Sequence, residues 1–225
     1  MEKYILDTNL FFNMEAGIDM GQNTEEVVKN ITQAAINLKK QNKAQFIISP
    51  TAVEEFLSFF EDKNQEFIAD FLSSVIVKSP DTVKMQIPAS IIIKLIEDIR
   101  LRSYRGLSIG EEEIKKTAKD MMGRQIEEKK DFEIAIGRNI KGFRDRYRNA
   151  TRTGFIDSLA DLDCIFLAKT LDGYLVSTDE GVIRWGRLFG VKEMPVAVWK
   201  RHLENLLHSP PHPEQEPKAS QPTDR

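Results

Sequence analysis

The sequence predicts an α/β protein with a central parallel sheet flanked by helices, into which a protruding two-helix hairpin is inserted. Three observations carry this expectation. Short apolar runs (YIL at 4–6, AQFIIS at 44–49, YLVS at 174–177) have the length and the aromatic or branched content of buried strands. Segments with apolar residues at helical spacing follow them, the alternation of a layered α/β chain. From about residue 88 to 149 that alternation stops, and the chain stays helix-forming while becoming much more charged.

The first strand ends at Leu6 and is followed at once by Asp7, Thr8 and Asn9. Asp is poorly suited to extend a strand, and these three residues taken alone read as a helix cap. From Thr24 to about Asn42, Val27, Val28, Ile31, Ala34, Ala35 and Leu38 recur at helical spacing. Thr24 is the expected N-cap there, with Glu25 and Glu26 in the favoured first turn. Pro50 opens a helix after the second strand, where proline is tolerated, and another helix covers Gln65 to Ser74.

In the insertion, ASIIIKLIEDIRLRSYR reads as one helix, Gly106 and Gly110 as the turn after it, and 111–149 as a second, unusually long helix. Gly123, Gly137 and Gly142 each weaken that second helix slightly. The α/β pattern resumes with helices from about Asp157 to Leu171, from Glu180 to Phe189 and from Val196 to Leu207. The expected organisation is therefore a first α/β part at 1–87, the hairpin at 88–150, a second α/β part at 151–207 and a disordered tail at 208–225.

Bulk properties exclude several classes. With 225 residues and 41% hydrophobic content the chain can bury one sizeable core plus an appendage. No run approaches the roughly 18 to 20 apolar residues of a membrane span, and no signal-peptide pattern opens the chain, so a cytoplasmic protein is expected. Net charge is −3, so a nucleic-acid-binding surface would have to be local. Cys164 is the single cysteine and sits in the apolar stretch CIFLA, as a buried structural thiol would. His202, His208 and His212 all fall near the C-terminus, which argues against histidine acid–base chemistry and a His-rich zinc site.

The acids are more informative. In a parallel layer Asp7 and Asp179 both follow strands and lie at one sheet edge. The helix expected from Asp157 starts at that same edge, and the helix from Pro50 puts Glu54 or Glu55 within about a turn of it. Asp157 and Asp161, four apart, are expected on one helical face. Each aspartate alone reads as a cap or turn residue, but together they fill the crevice where open sheets bind ligands. Carboxylates so close repel and call for a cation, and oxygen ligands without nearby His or Cys suit Mg²⁺ or Mn²⁺. Hard cations in an acidic crevice mostly serve phosphate chemistry. Ser177 and Thr178 are placed to orient a water or a phosphate, their plainer role being turn capping.

A partner for that crevice is written in GRNIKGFRDRYRNATR at 137–152, which holds Arg138, Lys141, Arg144, Arg146, Arg148 and Arg152 against a single acid, Asp145. Lys141, Arg144 and Arg148 share a helical face, with Phe143 and Tyr147 interleaved. A charged helix is usually a solvated face. Here nearly one sign is present, and the run leads straight to Asp157, so a phosphate-backbone contact stripe is expected.

Asp after strand one, an acid early in the helix after strand two, DSLAD opening a late helix and STD after the next strand together resemble the PIN-domain nucleases. With the long helical insertion, the chain resembles one subgroup over about residues 1–207: the minimal protein-only ribonuclease P enzymes, homologues of Aquifex RNase P also called RNA ligase partner proteins. The resemblance implies a PIN-like domain and a metal-dependent endonuclease, needing no RNA subunit, that removes the 5′ leader of precursor tRNA. It places the catalytic and metal-binding aspartates on Asp7, Asp157, Asp161 and Asp179, with Glu180 and either Glu54 or Glu55 assisting. Glu55 is favoured because Phe56 follows it, and Asp163 is a weaker candidate. It further implies large homo-oligomers built through the helical regions, and a tRNA elbow gripped by the hairpin, with Arg144 and Arg148 first.

Rival readings fit less well. Toxin-type PIN nucleases are usually smaller and lack such an insertion. Haloacid dehalogenase phosphatases carry a second Asp two residues after the first, where this chain has Asn9. A non-catalytic RNA-binding partner of an RNA ligase would leave the acids as mere caps. No Gly-rich turn follows strand one, against a dinucleotide-binding fold.

Overall fold

The computed structural model describes residues 1–12, 20–156 and 158–209. Its centre is a five-stranded sheet in the order β3-β2-β1-β4-β5, all neighbours parallel. The strands are β1 (Glu2–Leu6), β2 (Ala44–Ile48), β3 (Ile76–Val77), β4 (Tyr174–Val176) and β5 (Lys192–Glu193). Helices α1 (Asn9–Phe12), α2 (Thr24–Lys40), α3 (Pro50–Ser58) and α4 (Glu66–Ser74) belong to the first half. The long α5 (Ala89–Met121) and α6 (Lys129–Arg152) follow, then α7 (Leu159–Leu171), α8 (Glu180–Leu188) and α9 (Val196–His208). No described helix is long and apolar enough to cross a membrane.

The sheet is buried on both faces, as βαβ crossovers require. Tyr4, Ile5, Leu6, Phe46, Ile48, Leu175 and Val176 are almost wholly inaccessible, and Trp185 and Trp199 pack among them. Chain order reverses at β1, whose neighbours are β2 and β4, so the switch-point crevice lies beyond the C-terminal ends of β1 and β4. The β1–β4 register pairs Leu6 with Val176, which sets Asp7 beside Ser177. The Asp7 amide extends that ladder by donating to the Val176 carbonyl at 3.1 Å.

Several boundaries differ from expectation for identifiable reasons. Asn23, one residue ahead of Thr24, caps α2, its side chain accepting from the Glu26 amide at 2.9 Å. The hairpin turns around Gly123, in the left-handed conformation (φ 76°), and not at Gly106 and Gly110, which lie inside α5. Those two glycines serve packing: a β-carbon on Gly106 would stand 2.7 Å from the Tyr147 ring of α6, and one on Gly110 would touch Phe143. The helix expected over 111–149 is thus the end of α5 and most of α6. Gly137 and Gly142 sit within α6 without interrupting it.

Helix α7 opens at Leu159 with Ser158 as its N-cap, later than expected. Lys43, only 4% exposed, donates to the carbonyls of Leu206 and Ser209, so folded chain extends past 207. The tail expected at 208–225 lies, from 210 on, outside the described residues. Removing 210–225 is expected to leave the melting temperature and cleavage rate unchanged, since that segment is too polar to bury a core. A drop in either on truncation would contradict this.

Candidate active site

Asp7 is the buried centre of the crevice, 1% exposed. Its Oδ2 accepts from the Ser177 hydroxyl at 2.5 Å and from the Asn9 amide at 3.4 Å. These are side-chain partners from both strand ends, so its carboxylate is held as part of a polar cluster. Its Oδ1 is buried with no hydrogen-bond partner. Burial first, then the negative charges of Asp179 and Glu55, lift its pKa to about 6, against the opposing pull of the Ser177 and Asn9 hydrogen bonds.

Ser177 ties two acids together, because the same hydroxyl that donates to Asp7 accepts from the Asp179 amide at 2.9 Å. Asp179 is the N-cap of α8, with Oδ1 accepting from the amides of Gly181 and Val182. A cap and a site residue are therefore compatible roles for one carboxylate. Glu55 enters from α3 and accepts from the Thr8 hydroxyl at 2.7 Å. Its placement follows from packing, since Phe11 and Phe56 stack edge-on at 5.1 Å and lock α1 against α3. Glu54 points to solvent.

The other acids gather around Cys164. This buried thiol is held neutral, raised well above its ordinary pKa by burial and then by Asp7, Asp161, Asp163 and Glu55. All four carboxylates are thus in electrostatic reach of one sulfur. Asp161 is 7% exposed in the first turn of α7, its amide donating to the Ser158 cap. Asp163 receives the Thr51 hydroxyl at 2.6 Å and so braces α7 against α3. Asp157, expected among the central acids, lies outside the described residues.

Among the described residues, no group of three or more His, Cys, Asp or Glu side chains is arranged to hold a metal ion. The described part does supply an orphaned buried oxygen, Asp7 Oδ1, within a field of negative charge. That donor chemistry fits a hard divalent cation.

A cleft of about 380 Å³ joins this cluster to the basic helix. Asn9, Thr178, Asp179 and Glu180 line it together with Arg148, Asn149 and Arg152. The remaining basic residues divide. Arg138, Lys141 and Arg144 are exposed along α6. Arg146 is committed to the hairpin itself, paired with Glu112 at 2.5 Å and Glu113 at 2.7 Å on α5. Sequence reasoning missed Asn9 and Asn149 as cleft residues and Thr8 as the partner of Glu55. Only the position of Thr8 and Asn9 directly after Asp7 was a signal.

Glu55→Gln is expected to lower cleavage about tenfold or more, and Glu54→Gln to change it less than about twofold, in parallel steady-state assays. Equal effects would remove Glu55 from the crevice.

Fold and cleft together define a PIN-type nuclease. The family of PINc domain ribonucleases matches residues 3–208. The chain is 31% identical over 207 residues to the RNA-free ribonuclease P of Pyrococcus horikoshii, covering 92% of this chain and 94% of that one. It is 34% identical over 206 residues to the protein of that name from Nitrosococcus oceani (92% and 96% covered). To the one from Alkalilimnicola ehrlichii it is 33% identical over 206 residues (92% and 98%). The chain belongs to the PINc domain ribonucleases and, within them, to the family of the RNA-free ribonuclease P proteins.

Proposed function

We propose that this protein is a divalent-cation-dependent endoribonuclease that removes the 5′ leader of precursor tRNA without an RNA subunit. The observation that carries the reading is the shared cleft, lined by Arg148 and Arg152 together with Asp179 and Glu180, with Asp179 in electrostatic reach of the buried Asp7. A phosphodiester held by the arginines is thereby presented to the carboxylates. Asp7, Asp179, Glu55 and Asp161, with Asp157, are the residues that would hold the cation, Mg²⁺ or Mn²⁺. When bound, such a cation neutralises charge on phosphoryl oxygens and makes water a competent nucleophile near neutral pH.

The chain's own groups do the rest. Ser177 fixes Asp7 and Asp179 relative to each other, Thr8 fixes Glu55, and the exposed Arg138, Lys141 and Arg144 extend the phosphate contacts along α6. The hairpin on which they stand would reach the body of the tRNA. A homo-oligomer built from dimers is part of this reading, supported by Ile92, Ile93, Ile96, Ile99 and Leu107, which α5 leaves exposed. We place the protein in the cytoplasm.

The test compares rates on precursor tRNA, on mature tRNA and on an unstructured RNA carrying the same leader. Selective cleavage of the precursor supports the reading, and preference for the unstructured RNA would favour a toxin-type nuclease.

A further inference from the structure

The junction between the basic helix and the acidic turn is gripped from two sides, by groups that the cleft does not contain. Arg102 on α5 is 9% exposed, yet it carries a full charge. Its guanidinium donates to the Thr151 carbonyl at 2.9 Å and to the Thr153 carbonyl at 3.1 Å, and lies 4.6 Å over the Phe155 ring. These are the last carbonyls of α6, where a cation also complements the helix dipole. From the other side Arg184 on α8 donates to the Gly154 carbonyl at 3.1 Å and to Asp98 at 3.2 Å. Asp98 is itself buried one turn before Arg102 and takes a second partner, Lys94, at 3.0 Å. Phe155 in turn lies against the acidic turn, since a β-carbon on Gly181 would stand 2.7 Å from its carbonyl oxygen.

We propose that Arg102 is a positioning residue that, with the Asp98–Arg184 arm, locks the carboxyl end of α6 onto the Asp179–Gly181 turn and so sets the distance across the cleft. Salt bridges elsewhere cannot do this. The Arg146 pairs with Glu112 and Glu113 hold α6 to α5 within the hairpin, whereas Arg102 and Arg184 act where the hairpin meets the nuclease body. Gly154 allows the grip because its left-handed backbone (φ 66°) turns its carbonyl and those beside it toward two guanidinium groups. A one-sided loosening would leave the contact stripe on α6 intact while letting Arg148 and Arg152 drift from the acids. Binding and turnover should therefore separate.

The inference rests on the ribonuclease reading for its rate measurement but not for its structural one. Full-length Arg102→Met and Arg102→Lys are compared with wild type by amide hydrogen exchange without RNA, by tRNA affinity and by single-turnover cleavage. Arg102→Met is expected to speed exchange at the Phe155 and Gly181 amides by about tenfold or more, with the central α5 and α6 amides unchanged. The single-turnover rate should fall by about tenfold or more while affinity stays within about threefold. Lysine, which keeps the charge but not the fork, should recover part of the rate.

Exchange that rises uniformly, or a rate per folded molecule that stays at wild type, would overturn the proposal. If Arg102→Met does not fold, Arg184→Met removes the exposed arm and should give the same pattern at smaller amplitude, and no change there would equally overturn it. If wild type itself does not cleave precursor tRNA, the functional reading fails, and the exchange pattern still decides the clamp.

Discussion

Asp7→Asn is expected to lower cleavage by at least about a hundredfold and, in metal-free protein, to raise stability near neutral pH. Asp7 is buried beside other acids with one oxygen unpartnered, and its pKa is lifted from 3.8 to about 6. The folded protein therefore holds this proton more tightly than the unfolded chain does. Its contribution to stability is full below about pH 3.8 and is lost as pH rises through about 6, a change on the order of 3 kcal/mol. Asparagine has no charge to desolvate, so the variant escapes that loss. Urea melts in EDTA across this pH range should show wild type weakening relative to the variant, with the difference isolating Asp7. Adding Mg²⁺ should stabilise wild type by mass action and leave the variant nearly unmoved. Asp157→Asn and Asp161→Asn should each share the rate loss. Full activity in either would remove that residue from the mechanism, and a less stable Asp7→Asn protein at pH 7 would contradict the burial argument.

Replacing Arg144 and Arg148 together by Ala should weaken precursor-tRNA affinity and flatten its salt dependence by somewhat under two units of log K per log salt, one for each lost phosphate contact. Arg144 is solvent-exposed on α6, and Arg148 lies at the mouth of the cleft. Turnover at saturating RNA should change less than affinity, because Arg152, held by the intact junction of α6 with α8, still presents the phosphodiester to the acids. Arg146→Ala supplies the contrast, because its guanidinium is already spent on Glu112 and Glu113. That variant should alter thermal stability and leave the salt slope alone. Affinity titrations across salt, with light scattering on the same samples, separate the two. An unchanged slope in a normally assembled Arg144/Arg148 variant would contradict the phosphate assignment.

The sheet and most helices were legible because their signals are local. The runs around Ile5, Ile47 and Leu175 are apolar enough to be strands anywhere, and the helix after Pro50 begins where proline fits. Strands β3 and β5 were not legible, being two residues each and held by their neighbours more than by their own side chains. The hairpin turn was misplaced for a different reason. Glycine in a helix and glycine at a turn look alike in sequence, and only the approach of Tyr147 to Gly106 shows that close packing fixed it.

At the site, strand order predicts that Asp7 and Asp179 meet, since both follow adjacent parallel strands. The choice of Glu55 over Glu54 depends on which face of α3 the Phe11–Phe56 contact turns inward, a tertiary fact. Arg146 belonged to the basic stripe by sequence, and its acidic partners stand more than thirty residues away on α5.

Cleavage by the carboxylate crevice at the junction of leader and tRNA is tested most directly by incubating the full chain with 5′-labelled precursor tRNA and Mg²⁺, with EDTA and Asp7→Asn as controls, and mapping the product ends. A single cut at the mature 5′ end, abolished in both controls, is the predicted result. Cutting elsewhere, or cutting that survives EDTA or the loss of Asp7, would contradict it.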